Sequence, residues 1–296
     1  MAPSMSPAAA VEPDIDASVD AAEGVRAKEA ALVSWLRARE RVGIGFSGGV
    51  DSAYLACVAV DALGPANVLA IIGRSPSYPA AQWAAARAVA DRFAIPVLEL
   101  DTNEMEDPRY AANPSNRCYF CKSELWSLLV PAARARGIET VIDGTNADDM
   151  TGHRPGAVAA SEHAVFSPLL IVGLTKAEIR SLSQARGIPT WSQPSSPCLS
   201  SRIPYGVAVT ATRLAMIERA EAALRELGID GDLRVRYHGD LARVEIGTER
   251  LETWLAPEAS ARVARAVRGA GFERVSIDLR GFRSGSLNIL TGVSAA

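Results

Sequence analysis

Cysteine is scarce, with four in 296 residues. That is too few for a disulfide-stapled scaffold. Lysine is scarcer still: Lys28, Lys122 and Lys176 are the whole supply. The basic charge is therefore almost all arginine, and such a bias reflects composition as much as any need to bind phosphate. No apolar run approaches the roughly 18–20 residues that a membrane span requires. Nor does the N-terminus show a basic start followed by an apolar stretch, which argues against a secretory signal. The thiols are then expected in a reducing cytoplasm, where clustered cysteines bind metal or do chemistry.

Net basic charge is lacking too, at −3 overall. Residues 1–23 alone hold Glu12, Asp14, Asp16, Asp20 and Glu23, with no Lys or Arg. Setting them aside leaves 29 acids against 31 bases, so the remainder is near neutral. That gives no footprint for a dedicated nucleic-acid binder. No internal repeat is visible. Apolar residues make up 48% and charged residues 22%, enough to bury a sizeable core.

Residues 1–20 are rich in Ala, Pro, Ser and Asp without a period and read as a disordered tail. Helical spacing begins near Glu23, with Val25, Leu32, Trp35 and Leu36 on one face. Then strands and helices alternate. Strands are expected at 42–46, 68–72, 97–100 and 140–143, and helices at 53–63, 79–93, 118–136 and 176–186. Gly64-Pro65, Gly137 and Gly187 mark helix ends. This rhythm predicts an α/β fold with a parallel sheet and helices on both faces. After Pro204 it changes. A helix over 211–227, strands at 233–237 and 242–246 joined around Gly239-Asp240, a helix over 257–267 and a strand over 274–279 describe a smaller α+β unit. The expected division is 21–203 and 204–296, with a linker in the Pro/Ser/Gly-rich stretch 193–206.

Ser47-Gly-Gly-Val-Asp-Ser52 falls between an expected strand and an expected helix. Glycines let backbone approach a ligand closely, and a helix start offers free N–H groups and a positive dipole end. The turn lacks the Gly-Lys-[Ser/Thr] ending of a Walker A loop and is not G-x-G-x-x-G. Val141-Ile-Asp-Gly-Thr-Asn-Ala-Asp-Asp149 is a second strand end followed by polar residues. There Gly144 allows close approach, and Thr145, Asn146, Asp148 and Asp149 either face the crevice or cap a helix. Lys176 is a further candidate for phosphate.

Cys57 lies at an apolar helical position and reads as core. Cys118-Tyr-Phe-Cys121 has the spacing of a metal grip, a redox pair or half a zinc site. Arg117 and Lys122 flank it and are expected to lower thiol pKa values. Cys198 stands in the polar loop 194–205, a poor place for a structural thiol. Together Cys118, Cys121 and Cys198 offer three ligands and leave a four-coordinate centre one open position. His153, His163 and His238 have no ligand-like spacing. Arg234 and Arg236 alternate on a strand, so both guanidinia share a face; the bland alternative is a solvated charged face.

The loop resembles the SGG-x-D-S signature of the PP-loop ATP pyrophosphatases. That resemblance implies a Rossmann-like domain, of the adenine nucleotide alpha hydrolase-like kind, that cleaves ATP to AMP and pyrophosphate. Ser47, Gly48, Gly49, Val50, Asp51, Ser52, Gly144 and Thr145 would hold the nucleotide, and Asp51 and Asp148 would contact Mg²⁺ or substrate. Segments 116–122, 198–206, 233–236 with 242–245, and 278–288 narrow the resemblance to the LarE family, ATP-dependent sulfur transferases that build the nickel-pincer nucleotide cofactor. The implied reaction adenylates a carboxylate of a pyridinium-3,5-dicarboxylate mononucleotide and converts it to a thiocarboxylate. Arg202, Arg234 and Arg236 would take the substrate phosphate, with Glu221 and Glu245 orienting them or contacting substrate, and the small unit would bind substrate and support a homo-oligomer. Two styles exist: a single cysteine at the Cys198 position that surrenders its sulfur, or a three-cysteine [4Fe–4S] cluster. All three thiols are present, which favours the cluster. The rival readings are a tRNA-thiolating enzyme of the same fold and a non-catalytic ATP- or zinc-binding protein.

Overall fold

The computed structural model describes residues 15–150, 155–194 and 197–283. The chain opens with α1 (Ile15–Arg37), which begins inside the stretch read as tail; residues 1–14 lie outside the described residues. Alanine-rich sequence has the helix propensity to extend a helix that packing has already nucleated. Next come β1 (Val42–Gly45), α2 (Val50–Leu63), β2 (Val68–Arg74), α3 (Ala80–Arg92) and β3 (Val97–Asp101). They are followed by α4 (Pro108–Ala111), α5 (Arg117–Arg134), β4 (Thr140–Ile142), α6 (Pro155–Glu162), α7 (Pro168–Ile171) and α8 (Lys176–Ala185).

β1 to β4 form a parallel sheet in the order β3-β2-β1-β4. β1 and β2 are apolar nearly throughout, as strands covered on both faces must be: Val42, Ile44, Ala70, Ile71 and Ile72 are all buried. One core lies between α1, α2, α3, α8 and the sheet. A second, around Trp126, Leu129 and Val141, fills the other face. Gly45 is needed there, because a Cβ would stand 2.5 Å from the Trp126 ring. The chain runs β1, β2, β3 in one direction and then places β4 on the opposite side of β1. β1 and β4 therefore flank the point where strand order reverses, and ligands of open α/β sheets bind in the crevice beyond such strand ends.

The remaining elements are α9 (Ala211–Glu226), β5 (Leu233–His238), β6 (Leu241–Ile246), α10 (Thr248–Leu255), α11 (Pro257–Gly269) and β7 (Arg274–Ile277). β5 and β6 form an antiparallel hairpin turning at Gly239, whose φ is 72°, and β7 adds in parallel to β6. Leu233, Val235, Ala242, Val244 and Ile246 point into a core with Leu214, Ile217, Val263 and Val267. That core also takes in Tyr110, Leu199 and Ile203, with Phe120 and Cys121 packed against it. The stretch read as a linker is thus partly internal: Leu199, Ser200, Arg202 and Ile203 are buried. No described helix is long and apolar enough to cross a membrane.

Candidate active site

The turn after β1 is held open by its own hydroxyls. Ser52 Oγ donates to the Gly49 carbonyl at 3.1 Å and accepts from the Ser47 amide at 3.3 Å. From α3 and the residues before it, the Tyr78 hydroxyl and the Gln82 side-chain amide donate to the Ser47 carbonyl at 2.9 and 3.0 Å. Gly48 has φ +69°, and a Cβ there would stand 2.5 Å from that of Ala86. α2 starts at Val50 with Gly49 as N-cap and no side-chain cap. Its first N–H groups and its dipole therefore face the crevice, the arrangement that attracts anions.

Asp51 sits in that first turn. Its Oδ2 accepts from Lys176 Nζ at 2.5 Å. Among the described residues its buried Oδ1 makes no hydrogen bond of normal geometry, although the Asn146 side chain also pulls on the carboxyl. Burial pushes the Asp51 carboxyl above its usual range, against the pull of Lys176 and with the help of the Asp149 charge. A buried acid with one vacant oxygen and a carboxylate neighbour suits a hard divalent cation.

The loop after β4 closes on this turn. A Cβ on Gly144 would stand 3.0 Å from the Ser52 nitrogen, so only glycine permits the approach. Asp143 accepts from the Thr145 amide and hydroxyl, both at 3.0 Å, and from Ser167 Oγ at 2.7 Å. The Asp148 amide donates to Asn146 Oδ1 at 2.9 Å, and Asp148 Oδ2 accepts from the Lys176 backbone N–H at 2.8 Å. Asn146 thus caps locally, while Asp148 ties α8 to the loop and so brings Lys176 to Asp51. Asp143 and the Lys176–Asp51 pair escaped the sequence analysis; the available signal was an acid at the carboxyl end of a strand.

Cys57 is buried, and burial pushes its thiol up to about 12. Cys118 is exposed and opens α5 beside Arg117; Cys121 and Cys198 are half-buried. The three feel one another's charge, so the structure brings them to one region. Among the described residues, however, no three His, Cys, Asp or Glu side chains stand close enough together to hold a metal ion. The expected lowering of the thiol pKa values is overturned. Desolvation raises Cys118 and Cys121, and the neighbouring thiols add to it. The lowering pull of Arg117 on Cys118, and of Lys122 on both, is outweighed. Crowding of this kind is invisible in local sequence.

Cys198 leads into the turn 199–202, which is tied on several sides. The Leu199 amide donates to the Ser77 carbonyl at 2.8 Å, and the Tyr110 and Ser200 hydroxyls bond at 2.7 Å. Arg202 donates to the Cys198 carbonyl at 3.1 Å, and Arg236 to the Ser201 carbonyl at 3.0 Å. Beneath it lies Glu104, 2% exposed, which accepts from the Ser77 and Thr102 hydroxyls at 2.8 Å each. This buried acid also went unread in the sequence, where it stands among exposed-looking polar residues.

Arg234 and Arg236 share a face of β5, but that face is not solvated. Arg202, Arg234 and Arg236 are 1%, 4% and 5% exposed. Arg202 makes a bidentate pair with Glu221, with both contacts at 2.9 Å. Glu245 holds Arg236 on one oxygen and Arg243 on the other. Arg234 lies 5.0 Å from the Phe282 ring centroid. Burial, together with the charges of Arg202 and Arg236, pushes its guanidinium down to about 10. The rest of the sequence stretch 278–288 beyond Arg283, residues 195–196 of the cysteine loop, and His153 lie outside the described residues.

A family model described as NAD synthase matches residues 31–115, which span β1, the glycine turn and β2. An uncharacterized protein of Synechocystis is 44% identical over 84% of this chain and 92% of its own length. The pyridinium-3,5-bisthiocarboxylic acid mononucleotide synthase of Lactiplantibacillus plantarum is 34% identical over 88% of this chain and 94% of its own length. An uncharacterized protein of Methanocaldococcus jannaschii is 26% identical over 83% and 92%.

Proposed function

The chain belongs to the LarE family of sulfur transferases, and we propose that it uses ATP to activate a carboxylate of a pyridinium-3,5-dicarboxylate mononucleotide and replaces it with a thiocarboxylate. The observation that carries this reading is the continuity of the three regions. The turn of Cys198 is bonded through Ser77 to the segment that packs on the glycine turn, and through Ser201 to Arg236. Cys198 is thus linked on one side to the glycine turn, which we read as the phosphate site, and on the other to a buried guanidinium face.

The roles follow from the chemistry. A carboxylate is a poor electrophile, and attack by its oxygen on the α-phosphorus of ATP makes adenylate a leaving group and releases pyrophosphate. The N–H groups at Gly49, Val50, Asp51 and Ser52, with Ser47, Gly48, Gly144 and Thr145 shaping the turn, would stabilise charge on the departing pyrophosphate. Asp51 Oδ1, with Asp148 and Asp149 nearby, would hold Mg²⁺; Lys176 would then move from Asp51 to phosphate. Arg202, Arg234 and Arg236 would take the phosphate of the mononucleotide, a task their planar forks suit. Glu221 and Glu245 keep Arg202 and Arg236 aligned.

Cys118, Cys121 and Cys198 would hold a [4Fe–4S] cluster, which when bound supplies the sulfide that displaces adenylate. The three soft thiols lie in one region but, among the described residues, not close enough together to hold a metal ion, so this reading requires them to close on the group. That same spacing favours a second reading, in which Cys198 itself forms the thioester and gives up its sulfur. Free thiols suit a reducing cytoplasm, and the protein is proposed to work there as a soluble homo-oligomer, with a small nucleotide rather than a nucleic acid as its substrate.

The experiment is anaerobic purification followed by iron, acid-labile sulfide and intact-mass analysis before and after turnover. Brown protein with about four irons per chain and an unchanged Cys198 supports the cluster. Colourless protein whose Cys198 loses the mass of hydrogen sulfide supports sacrifice. Loss of neither, with no thiocarboxylate formed, overturns both.

A further inference from the structure

Glu104 is buried beneath the Cys198 turn, in the single helical turn Glu104–Glu106 that follows β3. Both of its oxygens are taken, and by hydroxyls rather than by a cation. Oε1 accepts from Ser77 and Oε2 from Thr102, each at 2.8 Å. Ser77 follows β2 and Thr102 follows β3, so one side chain ties the carboxyl ends of two neighbouring strands. A backbone bond closes the same join, as the Thr102 amide donates to the Arg74 carbonyl at 2.8 Å. Burying a carboxylate is costly, and an apolar residue of similar volume would serve a merely packed join as well. The acid is better explained by what it holds.

What it holds is a strap, residues 75–82, that touches both halves of the candidate site. Tyr78 and Gln82 donate to the Ser47 carbonyl of the glycine turn. The Ser77 carbonyl accepts from the amide of Leu199, the residue after Cys198, at 2.8 Å. The Ala80 amide donates to Glu218 of α9 at 2.7 Å, which fixes the strap to the smaller unit. Ser77 is 4% exposed, and its hydroxyl bonds Ser75 Oγ at 2.8 Å as well as Glu104. The Ser77 carbonyl thus carries the Cys198 turn, while the next side chain carries the glycine turn. The orientation of Ser77 sets how the two turns face each other, and Glu104 fixes that orientation from below.

We propose that Glu104 is a positioning residue: through Ser77 it holds the Cys198 turn against the nucleotide turn, so that the acyl-adenylate made at one is met by sulfur at the other and not by water. The proposal rests on the sulfur-transfer reading above and is the same for either sulfur source. An acyl-adenylate has two fates. In the productive one, sulfur bonds to the acyl carbon, the bond from that carbon to the adenylate oxygen breaks, and AMP leaves. In the other, a water oxygen bonds to the same carbon, AMP leaves, the water's protons go to solvent, and the starting carboxylate returns. ATP is then consumed for no product. Misplacing the sulfur nucleophile slows the first fate and leaves the second untouched, because water needs no positioning turn. A merely structural role for Glu104 would lower both products together.

The test compares the parent, Glu104→Met, Ser77→Ala and the double variant. Each is supplied anaerobically with ATP, magnesium and the pyridinium dicarboxylate mononucleotide, with protein in excess, and AMP and thiocarboxylate are quantified in the same sample. Methionine keeps the length of Glu104 without its acceptors; alanine at 77 cuts the same bond from the other side. The AMP formed per thiocarboxylate should rise by roughly 10–10²-fold in either single variant, the scale of a nucleophile misplaced by about an ångström. The double variant should be no worse than the worse single one, since both remove one interaction. Ser77→Ala removes only a hydroxyl and keeps the test readable if Glu104→Met folds poorly. Variants whose two products fall together at the parent ratio overturn the proposal, as does Ser77→Ala with the parent ratio. A parent that yields no AMP or no thiocarboxylate overturns the sulfur-transfer reading itself, and the proposal with it.

Discussion

The turn after β1 and the outer face of β5 and β6 both gather positive potential, and they do so by opposite means. At the turn it comes from backbone. Glycines, an uncapped helix start and serine hydroxyls supply it, and the nearby Lys176 is held by Asp51. On the second sheet it comes from side chains, as Arg202, Arg234 and Arg236 are buried with Glu221 and Glu245. Backbone dipoles are fixed by the fold and cost nothing to hold in place. Guanidinia must be desolvated and paired, so they need carboxylates behind them. The first region should therefore lose chemistry without losing stability when altered. The second should lose stability first.

The largest effect is expected at the thiol between the two regions. Cys198→Ser should stop thiocarboxylate formation by on the order of 10³-fold or more, while AMP and pyrophosphate still appear. Product analysis by mass spectrometry checks both. Loss of pyrophosphate release as well would place Cys198 in activation instead.

Asp51→Asn comes next and bears most directly on the contrast. Pyrophosphate release should fall by roughly 10²–10³-fold, the scale of losing a key electrostatic contact. Yet the protein should unfold at the same or a higher temperature at neutral pH. The sign follows from the raised Asp51 carboxyl. A carboxyl whose folded value is raised gives stability that is fully present below its unfolded value and is lost as pH rises through the folded one. At neutral pH the ionised acid is a cost, which asparagine removes. Calorimetry across pH showing a large loss of stability for the variant would break the comparison.

On the second sheet, Arg236→Met should destabilise by about 3 kcal/mol, because it leaves Glu245 buried without one partner; Arg243 retains the other oxygen. Urea unfolding measures it, and a change no larger than that of a surface pair would mean the face is not built as described. Such a pair provides the smallest expected effect. Arg74–Glu99 is exposed at 51% and 26%, and Arg74→Ala should cost less than about 0.5 kcal/mol.

The two regions were unequally legible. The glycine turn and the alternating strands and helices of the first sheet show in sequence because backbone geometry dictates residue type locally. Strand order does not show, since it is set by long-range pairing. α4, α6, α7 and α10 were missed because each is only 4 to 8 residues long, too short for helical periodicity to separate it from a loop. The arginine pair on β5 was visible as two residues on one face, but nothing local separates a buried charged face from a solvated one. The partners decide that, and Glu221 arrives from α9. The thiols were found by spacing and misjudged in acidity, because desolvation depends on what packs around them. Asp51 was read as a phosphate and metal contact; its grip on Lys176, 125 residues on, was not.

The central claim is that ATP is cleaved between its α- and β-phosphates to energise a carboxylate of the mononucleotide. Incubation with ATP, magnesium and the pyridinium dicarboxylate mononucleotide, followed by nucleotide chromatography, tests it most directly. AMP and pyrophosphate, formed only when the mononucleotide is present, are the expected products. ADP and orthophosphate, or unchanged ATP, would contradict it.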